Sequence, residues 1–220
     1  MIVYGNSISP FVRKVLAFAH EKKIAVTLEA AGLGGGSPEF YEASPFKKMP
    51  AFRDPGADNG RDFTISDSTA IIAYLDTKFP EPNLIPASAA DRARVIWFEE
   101  FADTIMVGAF GKIFFNRFVA PKFMKREGDL AAADAAEANE VPPILDYLEA
   151  HIPESGFLVA DRLTLADLAV ASPFVNLMHC GSAVDATRWP KTAAYVAAIL
   201  ARPSFAAMVA AESAVVAAMA

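Results

Sequence analysis

Hydrophobic residues in the first 80 positions follow two different spacings. Short apolar runs rich in β-branched and aromatic residues are typical of strands. Apolar side chains at helical spacing predict one helix from Pro10 to about Lys22 and another over 67–79. The strands are predicted at 2–4, 25–28, 51–53 and 63–65, the last two on either side of the turn-rich segment Asp54-Pro55-Gly56. The order β-α-β-α-β-β-α therefore predicts a small mixed sheet with helices packed on it.

The pattern changes near residue 80, where Pro80, Pro82 and Pro86 interrupt the chain. Proline lacks the backbone donor that a helix needs, so this stretch is predicted to be a semi-rigid linker. Beyond it, every long segment has helical spacing. The helices are predicted over 88–118, 131–151, 165–180 and 190–201, with a short Ala-rich one after Pro203. The predicted organisation is an α/β domain over 1–80, a linker over 81–88 and an all-helical domain over 89–220.

Composition narrows the classes of partner. Hydrophobic residues make up 54% of the chain and charged residues 21%, which is typical of a globular protein. Lys and Arg total 20 against 26 Asp and Glu, and a net charge of −6 disfavours binding to nucleic acid. The single cysteine, Cys180, excludes an internal disulfide, and no basic segment precedes an apolar core near the first residue. We expect a cytoplasmic protein without a membrane span.

Ser9-Pro10-Phe11 directly follows the first predicted strand. Serine is a preferred N-cap residue and proline is favoured at the first helical position, so Ser9 is predicted to begin a helix. The amino end of a helix attracts anions, because its N–H groups are unpaired and the macrodipole is positive there. Ser9 could therefore serve only as a cap, or it could hold a thiolate. Ser7, two residues upstream, is an alternative donor.

Two further segments carry candidate chemistry. In Lys48-Met49-Pro50 a proline precedes an apolar strand, and spacing alone leaves the Met49–Pro50 bond trans by default. In Asp67-Ser68 a helix begins with residues that serve as caps. The same pair could also bind an amino-acid head group, with the carboxylate on the ammonium and the hydroxyl and N–H on the carboxylate.

Several other patterns are interpreted as structural. The Gly-rich loop from Gly32 to Gly36, which includes Leu33, departs from a dinucleotide-binding motif and is predicted to be a flexible turn. Thr164 and Asp167 have the spacing of a capping box. The adjacent His179-Cys180 pair is poorly spaced for two ligands of one metal, so no metal site is predicted.

Ser9 could act as a nucleophile only with a base nearby. The nearest histidine in sequence, His20, is roughly 16 Å away along the predicted helix, which is out of reach.

Four motifs in this order resemble the cytosolic glutathione transferases that use a serine. They are Ser9-Pro10-Phe11-Val12-Arg13-Lys14-Val15, Lys48-Met49-Pro50, Asp67-Ser68-Thr69-Ala70-Ile71 and Leu163-Thr164-Leu165-Ala166-Asp167. The resemblance spans both halves of the chain. It implies a thioredoxin-like domain that binds glutathione, followed by an all-helical domain. Two residues depart from the usual pattern of this family. Met49 stands where Val or Ile is commoner, and Asp67 stands where Glu is frequent, which leaves the class within the family open.

The resemblance also implies a role for each matching residue. Ser9 would donate a hydrogen bond to the glutathione sulfur, and the Met49 backbone would pair antiparallel with the cysteinyl part, with Pro50 in the cis form. Lys48 would reach the glycyl carboxylate. Asp67 and Ser68 would hold the γ-glutamyl end.

For the second substrate, the resemblance implies an apolar acceptor site with Phe11, Phe110 and Phe114 as its wall, although aromatic residues at helical spacing are more often core. The implied activity is addition of the activated thiol to a small hydrophobic electrophile, by a homodimer. The alternatives are a glutathione-dependent isomerase, dehalogenase or peroxidase, and a non-catalytic binding or regulatory protein on the same fold.

Overall fold

A computed structural model describes residues 1–32 and 34–219 of the 220-residue chain. The chain forms two compact units, Met1–Leu84 and Ile85–Ala220. Each unit has its own secondary structure and its own buried apolar side chains.

The first unit is a four-stranded mixed sheet with helices. Its elements are β1 (Ile2–Gly5), α1 (Pro10–Glu21), β2 (Thr27–Ala30), α2 (Pro38–Ala43), β3 (Ala51–Asp58), β4 (Arg61–Ser66) and α3 (Ser68–Lys78). The strand order is β2-β1-β3-β4, with β2 parallel to β1 and the other two neighbouring pairs antiparallel. This is a thioredoxin-like arrangement, and it confirms the predicted order of strands and helices.

Strand boundaries differ from the prediction in two places. β2 begins two residues late, because Thr27 and not Ala25 pairs with Ile2. Asp54-Pro55-Gly56, interpreted from sequence as the turn, lies inside β3, and the register is irregular between Asp54 and Asp58. The turn lies instead at Asn59-Gly60, where both residues have positive φ angles of 51° and 84°. Asn-Gly is the pair that a two-residue hairpin turn favours.

The fully buried side chain of Lys22, at the end of α1, binds the chain that follows α3. Its Nζ donates to the carbonyl oxygens of Phe79 at 2.7 Å, Pro80 at 3.2 Å and Pro82 at 2.9 Å. It also forms a 2.8 Å ion pair with Asp76. A cation is favourable at the carboxyl end of a helix, and here it also satisfies carbonyl groups of the chain that follows α3. The non-helical chain after α3 is therefore fixed to α1.

The second unit is all-helical, as predicted. Its helices are α4 (Ala89–Glu100), α5 (Val107–Phe114), α6 (Leu130–Asn139), α7 (Val141–His151), α8 (Leu165–His179), α9 (Pro190–Leu200) and α10 (Pro203–Ala218). π-helical segments Phe101–Met106 and Phe115–Phe123 follow α4 and α5. Residues 165–177 of α8 are buried without interruption, so α8 is the centre of the unit.

Three helix boundaries in this unit differ from the prediction. The helical run predicted to end at 118 continues to Phe123 through π-helical turns. The single helix predicted over 131–151 is two helices, since Pro142 and Pro143 remove two donors just after the break near Glu140. The segment after Pro203, predicted to be short, is a 16-residue helix.

The capping box predicted at Thr164 and Asp167 is present at the start of α8. The buried Asp167 carboxylate accepts hydrogen bonds from the N–H of Thr164 at 2.8 Å and of Leu158 at 2.9 Å. Burial raises the pKa of Asp167 to about 6, and these hydrogen bonds oppose that shift. Asp167 therefore fixes both the start of α8 and the loop before it.

Within the described residues, no single helix has both the length and the apolar character that crossing a membrane requires. The pair α9 and α10, bent by 89° at the break between them, meets that test only when taken together.

Candidate active site

The sheet brings three predicted site segments to one of its ends. Tyr4 pairs with Ala51, and Ala51 pairs with Ser66. The chain after β1, the chain before β3 and the chain after β4 therefore lie side by side. These segments carry Ser9, then Lys48, Met49 and Pro50, then Asp67 and Ser68.

Close packing at this end depends on glycines. A Cβ atom on Gly5 would lie 2.5 Å from Cγ2 of Val12 and 3.5 Å from Cβ of Met49. A Cβ atom on Gly32 would lie 3.2 Å from the Met49 sulfur. Glycine thus lets the end of β1 approach α1 closely and leaves room for the Met49 side chain. The remainder of the Gly-rich loop includes Leu33, which lies outside the described residues.

Ser9 is the N-cap residue of α1, with Pro10 at the first helical position, as the sequence predicts. Its carbonyl oxygen accepts a hydrogen bond from the N–H of Arg13 at 3.0 Å. Its side chain makes no capping hydrogen bond and is partly exposed. Ser9 occupies the cap position with its backbone, so its hydroxyl is not used by the helix. Ser7, also partly exposed, lies in the turn just before it.

The Met49–Pro50 peptide bond is cis. The resemblance implied this form, and the trans default from spacing was wrong because spacing along the chain carries no information on the isomer. Met49 is partly buried and Lys48 is exposed. Among the residues that the structure describes, none forms a hydrogen bond with the Met49 backbone N–H or carbonyl.

Asp67 is the N-cap residue of α3, and it connects the chain after β4 to the chain before β3. Its N–H donates to the carbonyl oxygen of Pro50 at 3.2 Å. Its Oδ1 accepts from the N–H of Thr69 at 2.9 Å and of Ala70 at 3.1 Å. No hydrogen bond from the described part of the chain reaches Oδ2. Ser68, which follows, is buried.

The backbone of Asp67 has a φ angle of 91°. Residues with a Cβ atom rarely adopt positive φ, and such strain persists only where the surrounding structure imposes it. Strained residues of this kind cluster at functional sites. The strain at Asp67 is therefore an independent indication that this end of the sheet has a function.

The three phenylalanines predicted to line the site of the second substrate lie in different environments. Phe11 and Phe114 are partly exposed, and Phe114 stacks on Phe118 with ring centroids 5.0 Å apart. Phe110 is 1% exposed and packs edge-on against Phe174 at 5.3 Å. The ring of Phe110 is thus part of the core of the helical unit, the commoner role for aromatic residues at helical spacing.

Sequence reasoning missed Ser44, which is completely buried between α2 and the Lys48 segment. Its Oγ accepts a hydrogen bond from the Lys48 N–H at 2.9 Å and donates one to the Lys48 carbonyl oxygen at 2.7 Å. The signal that could have found it is a serine immediately before Pro45, at the end of a helix and four residues before Lys48.

Cys180, the single cysteine of the chain, does not supply a reactive thiolate. Burial raises the pKa of its thiol to about 12, so the thiolate is scarce at neutral pH. In residues 1–32 and 34–219, no group of three or more His, Cys, Asp or Glu side chains could hold a metal ion.

Fold and site together define a protein with a thioredoxin-like domain, an all-helical domain and an anion-attracting helix start at one end of the sheet. Two family models match the chain, described as the N-terminal domain of glutathione S-transferase over residues 3–83 and its C-terminal domain over residues 114–212. The chain belongs to the glutathione S-transferase family. The predicted family is thereby confirmed.

Similar proteins are found in plants, animals and bacteria. Glutathione S-transferase 4 of Zea mays is 30% identical over 83% of this chain and 78% of its own length. Glutathione S-transferase theta-1 of Homo sapiens is 27% identical over 88% of this chain and 79% of its own. The crystal structure of a glutathione S-transferase from Rhodospirillum rubrum is 25% identical, with a TM-score of 0.81 over 93% of this chain and 89% of its own. These relatives support the predicted enzyme class, a glutathione transferase with glutathione as co-substrate.

Proposed function

We propose that this protein binds glutathione at the end of the sheet where Ser9, Met49 and Asp67 lie, and adds its thiolate to a small hydrophobic electrophile. The observation that carries the proposal is the Ser9 hydroxyl, which stands at the start of α1 and makes no capping hydrogen bond. A hydroxyl held there can donate to a sulfur anion, which the helix start also favours.

The energies are sufficient for this role. A cysteine thiol has a pKa of about 8.5, and lowering it by two units requires about 2.7 kcal/mol. A hydrogen bond to a charged group contributes roughly 1.5–3 kcal/mol. The helix terminus adds roughly 0.3–2 kcal/mol. Together they keep most of the bound thiol ionised at neutral pH, without a covalent intermediate on the enzyme.

The polar groups at this end suit the rest of the tripeptide. The N–H and carbonyl of Met49, which no other described residue uses, can form two antiparallel hydrogen bonds with the cysteinyl residue. Asp67 can offer Oδ2 to the γ-glutamyl ammonium, while Ser68 offers a hydroxyl and an N–H to its carboxylate. Lys48 is exposed and can pair with the glycyl carboxylate. We accordingly assign glutathione binding to a domain over 1–80, followed by the linker over 81–88 and the helical domain over 89–220.

The acceptor is proposed to be apolar and electrophilic, with Phe11, Phe110 and Phe114 as candidate residues of its site. Of these, Phe11 and Phe114 are partly exposed, whereas Phe110 is buried in the core of the helical unit. A panel of model electrophiles, hydroperoxides and cis-enediones separates conjugation from peroxidase and isomerase activity with the same thiolate.

Replacement of Ser9 tests the proposal. We expect Ser9→Ala to bind glutathione normally but to lower kcat/KM for conjugation roughly 10- to 150-fold, the equivalent of one hydrogen bond to a charged atom. Binding is measured by titration calorimetry and turnover with a model electrophile. The matched control is Ser7→Ala, which should retain activity. Normal turnover in Ser9→Ala together with a loss in Ser7→Ala would move the role to Ser7.

A further inference from the structure

Ser44 forms an unusual pair of hydrogen bonds. Its one hydroxyl group binds both the N–H and the carbonyl oxygen of the same residue, Lys48. The Ser44 backbone is also engaged, since its N–H donates to the carbonyl of Phe40 at 2.8 Å and its carbonyl accepts from the N–H of Lys47 at 2.9 Å. The chain between α2 and Met49 is thus closed into a compact turn around a buried hydroxyl.

This turn fixes the direction of the next donor. The Lys48 carbonyl and the Met49 N–H belong to one peptide unit, which is planar, and in the trans form they point in opposite directions. The Lys48–Met49 bond is not among the cis bonds of the described chain. When Ser44 holds the Lys48 carbonyl inward, the Met49 N–H must point away from Ser44. No hydrogen bond from the described residues uses that N–H.

We propose that Ser44 is a positioning residue for glutathione, because its hydroxyl aims the Met49 N–H at the cysteinyl part of the tripeptide. The inference rests on the proposed function, and Ser44 itself touches no substrate. Without the hydroxyl, the Lys48–Met49 peptide unit can rotate, and the N–H and carbonyl of Lys48 lose their partner. The effect should fall on substrate binding, since the Met49 pairing is made equally in the ground state and the transition state.

The test compares Ser44→Ala with a rescuing variant and a control. Ser44→Ala should raise the KM for glutathione roughly 5- to 30-fold, with kcat at saturating glutathione within about twofold of the wild type. Ser44→Thr keeps a hydroxyl and should restore most of the affinity. The control is Ser37→Ala, which removes the N-cap of α2, a 3.3 Å bond to the Phe40 N–H, and leaves Lys48 untouched. It should lower thermal stability with little change in KM.

An unchanged KM in Ser44→Ala would overturn the inference. So would an equal rise in Ser37→Ala, which would trace the effect to loss of α2. If Ser44→Ala does not fold, amide hydrogen exchange at Lys48 in the wild-type protein decides the matter, with protection expected and rapid exchange contradicting the hydrogen bond. Calorimetry of glutathione with the wild type separates the two proposals. No binding there would reject the proposed function, whereas wild-type binding retained in Ser44→Ala would reject only the role of Ser44.

Discussion

Two N-cap residues at the same end of the sheet use their side chains differently. Asp67 caps α3 through Oδ1, which accepts two backbone N–H groups, and leaves Oδ2 available. Ser9 caps α1 with its backbone alone. In both cases, the residue that starts a helix keeps a polar atom that a ligand can use. At the residue scale, a residue can therefore hold the N-cap position of a helix and still present a polar side-chain atom.

The proposed role of Asp67 predicts a loss of affinity without a loss of stability. Asn is as good an N-cap as Asp, so Asp67→Asn should retain α3 while removing the charge that faces the γ-glutamyl ammonium. We expect the KM for glutathione to rise roughly 10-fold, with kcat nearly unchanged and Tm within about 2 °C of the wild type. Steady-state kinetics and thermal unfolding measure both quantities.

The control for Asp67→Asn is Asp129→Asn, which alters another aspartate cap, the one that starts α6 with a 2.9 Å bond from the Ala132 N–H. It should leave the KM unchanged. A wild-type KM in Asp67→Asn would remove Asp67 from the glutathione site.

The residues that could be predicted from sequence are those whose role is local. Ser9 and Asp67 begin helices, and cap preferences follow from the few residues around them. The cis form of Pro50 came only from the family resemblance. The role of Ser44 depends on burial and on a turn closed four residues later, neither of which a local pattern reports.

At the element scale, β3 and α3 are joined by a small polar cluster of Asp54, Tyr74 and Lys78. The Tyr74 hydroxyl donates to the Asp54 carboxylate at 2.7 Å, and Lys78 forms an ion pair with the same oxygen. Burial raises the pKa of Asp54, but the hydrogen bonds from Lys78 and Tyr74 outweigh it and leave the pKa below its usual value. The cluster stabilises the helix that begins at Asp67.

We expect removal of the Lys78 cation from this cluster to cause a loss of stability that depends on pH. Because the pKa of Asp54 is lowered by folding, its contribution is present above the unfolded pKa of about 3.9 and is lost as the pH falls through the lowered value. Lys78→Met should lower the free energy of unfolding at pH 7 by about 1 kcal/mol, a discounted figure since Lys78 is 38% exposed. Because the pKa of Asp54 would then lie closer to its unfolded value, the stability lost between pH 7 and pH 3 should also be smaller than in the wild type. Urea unfolding between pH 3 and pH 7 measures both effects.

The matched control is Arg61→Met, which breaks the pair of Arg61 with Asp58, whose side chains are 79% and 44% exposed. Exposed pairs contribute little, so this variant should unfold like the wild type. Equal stability of Lys78→Met and wild type at pH 7 would show that the cluster does not hold α3.

Element order was predictable from sequence, whereas several boundaries were not. Hydrophobic spacing is strong over long segments, so the β-α-β-α-β-β-α order and the all-helical second unit were predicted correctly. The hairpin turn was predicted at Asp54-Pro55-Gly56 because that segment is rich in turn residues, whereas the strand pairing places the turn at Asn59-Gly60. The π-helical turns after α4 and α5 leave no trace in the spacing of apolar residues.

At the scale of the whole molecule, both units belong to one family, whose resemblance implies a homodimer. Large apolar side chains remain exposed in the second unit, among them Trp97 at 49% and Ile105 at 46%. Exposed apolar surface of this kind is common where protein chains associate. We expect static light scattering to give twice the 23.5 kDa mass of one chain. A mass of one chain at micromolar concentration would contradict the homodimer.

The central claim is that Ser9 and the start of α1 keep the sulfur of bound glutathione ionised. The most direct test is a pH titration of that thiol in the complex, followed by the ultraviolet absorbance of the thiolate, for the wild type and for Ser9→Ala. We predict a pKa about two units below the usual value of about 8.5 in the wild-type complex, and a return toward 8.5 in Ser9→Ala. A wild-type complex in which the thiol titrates as it does in free glutathione would contradict the account.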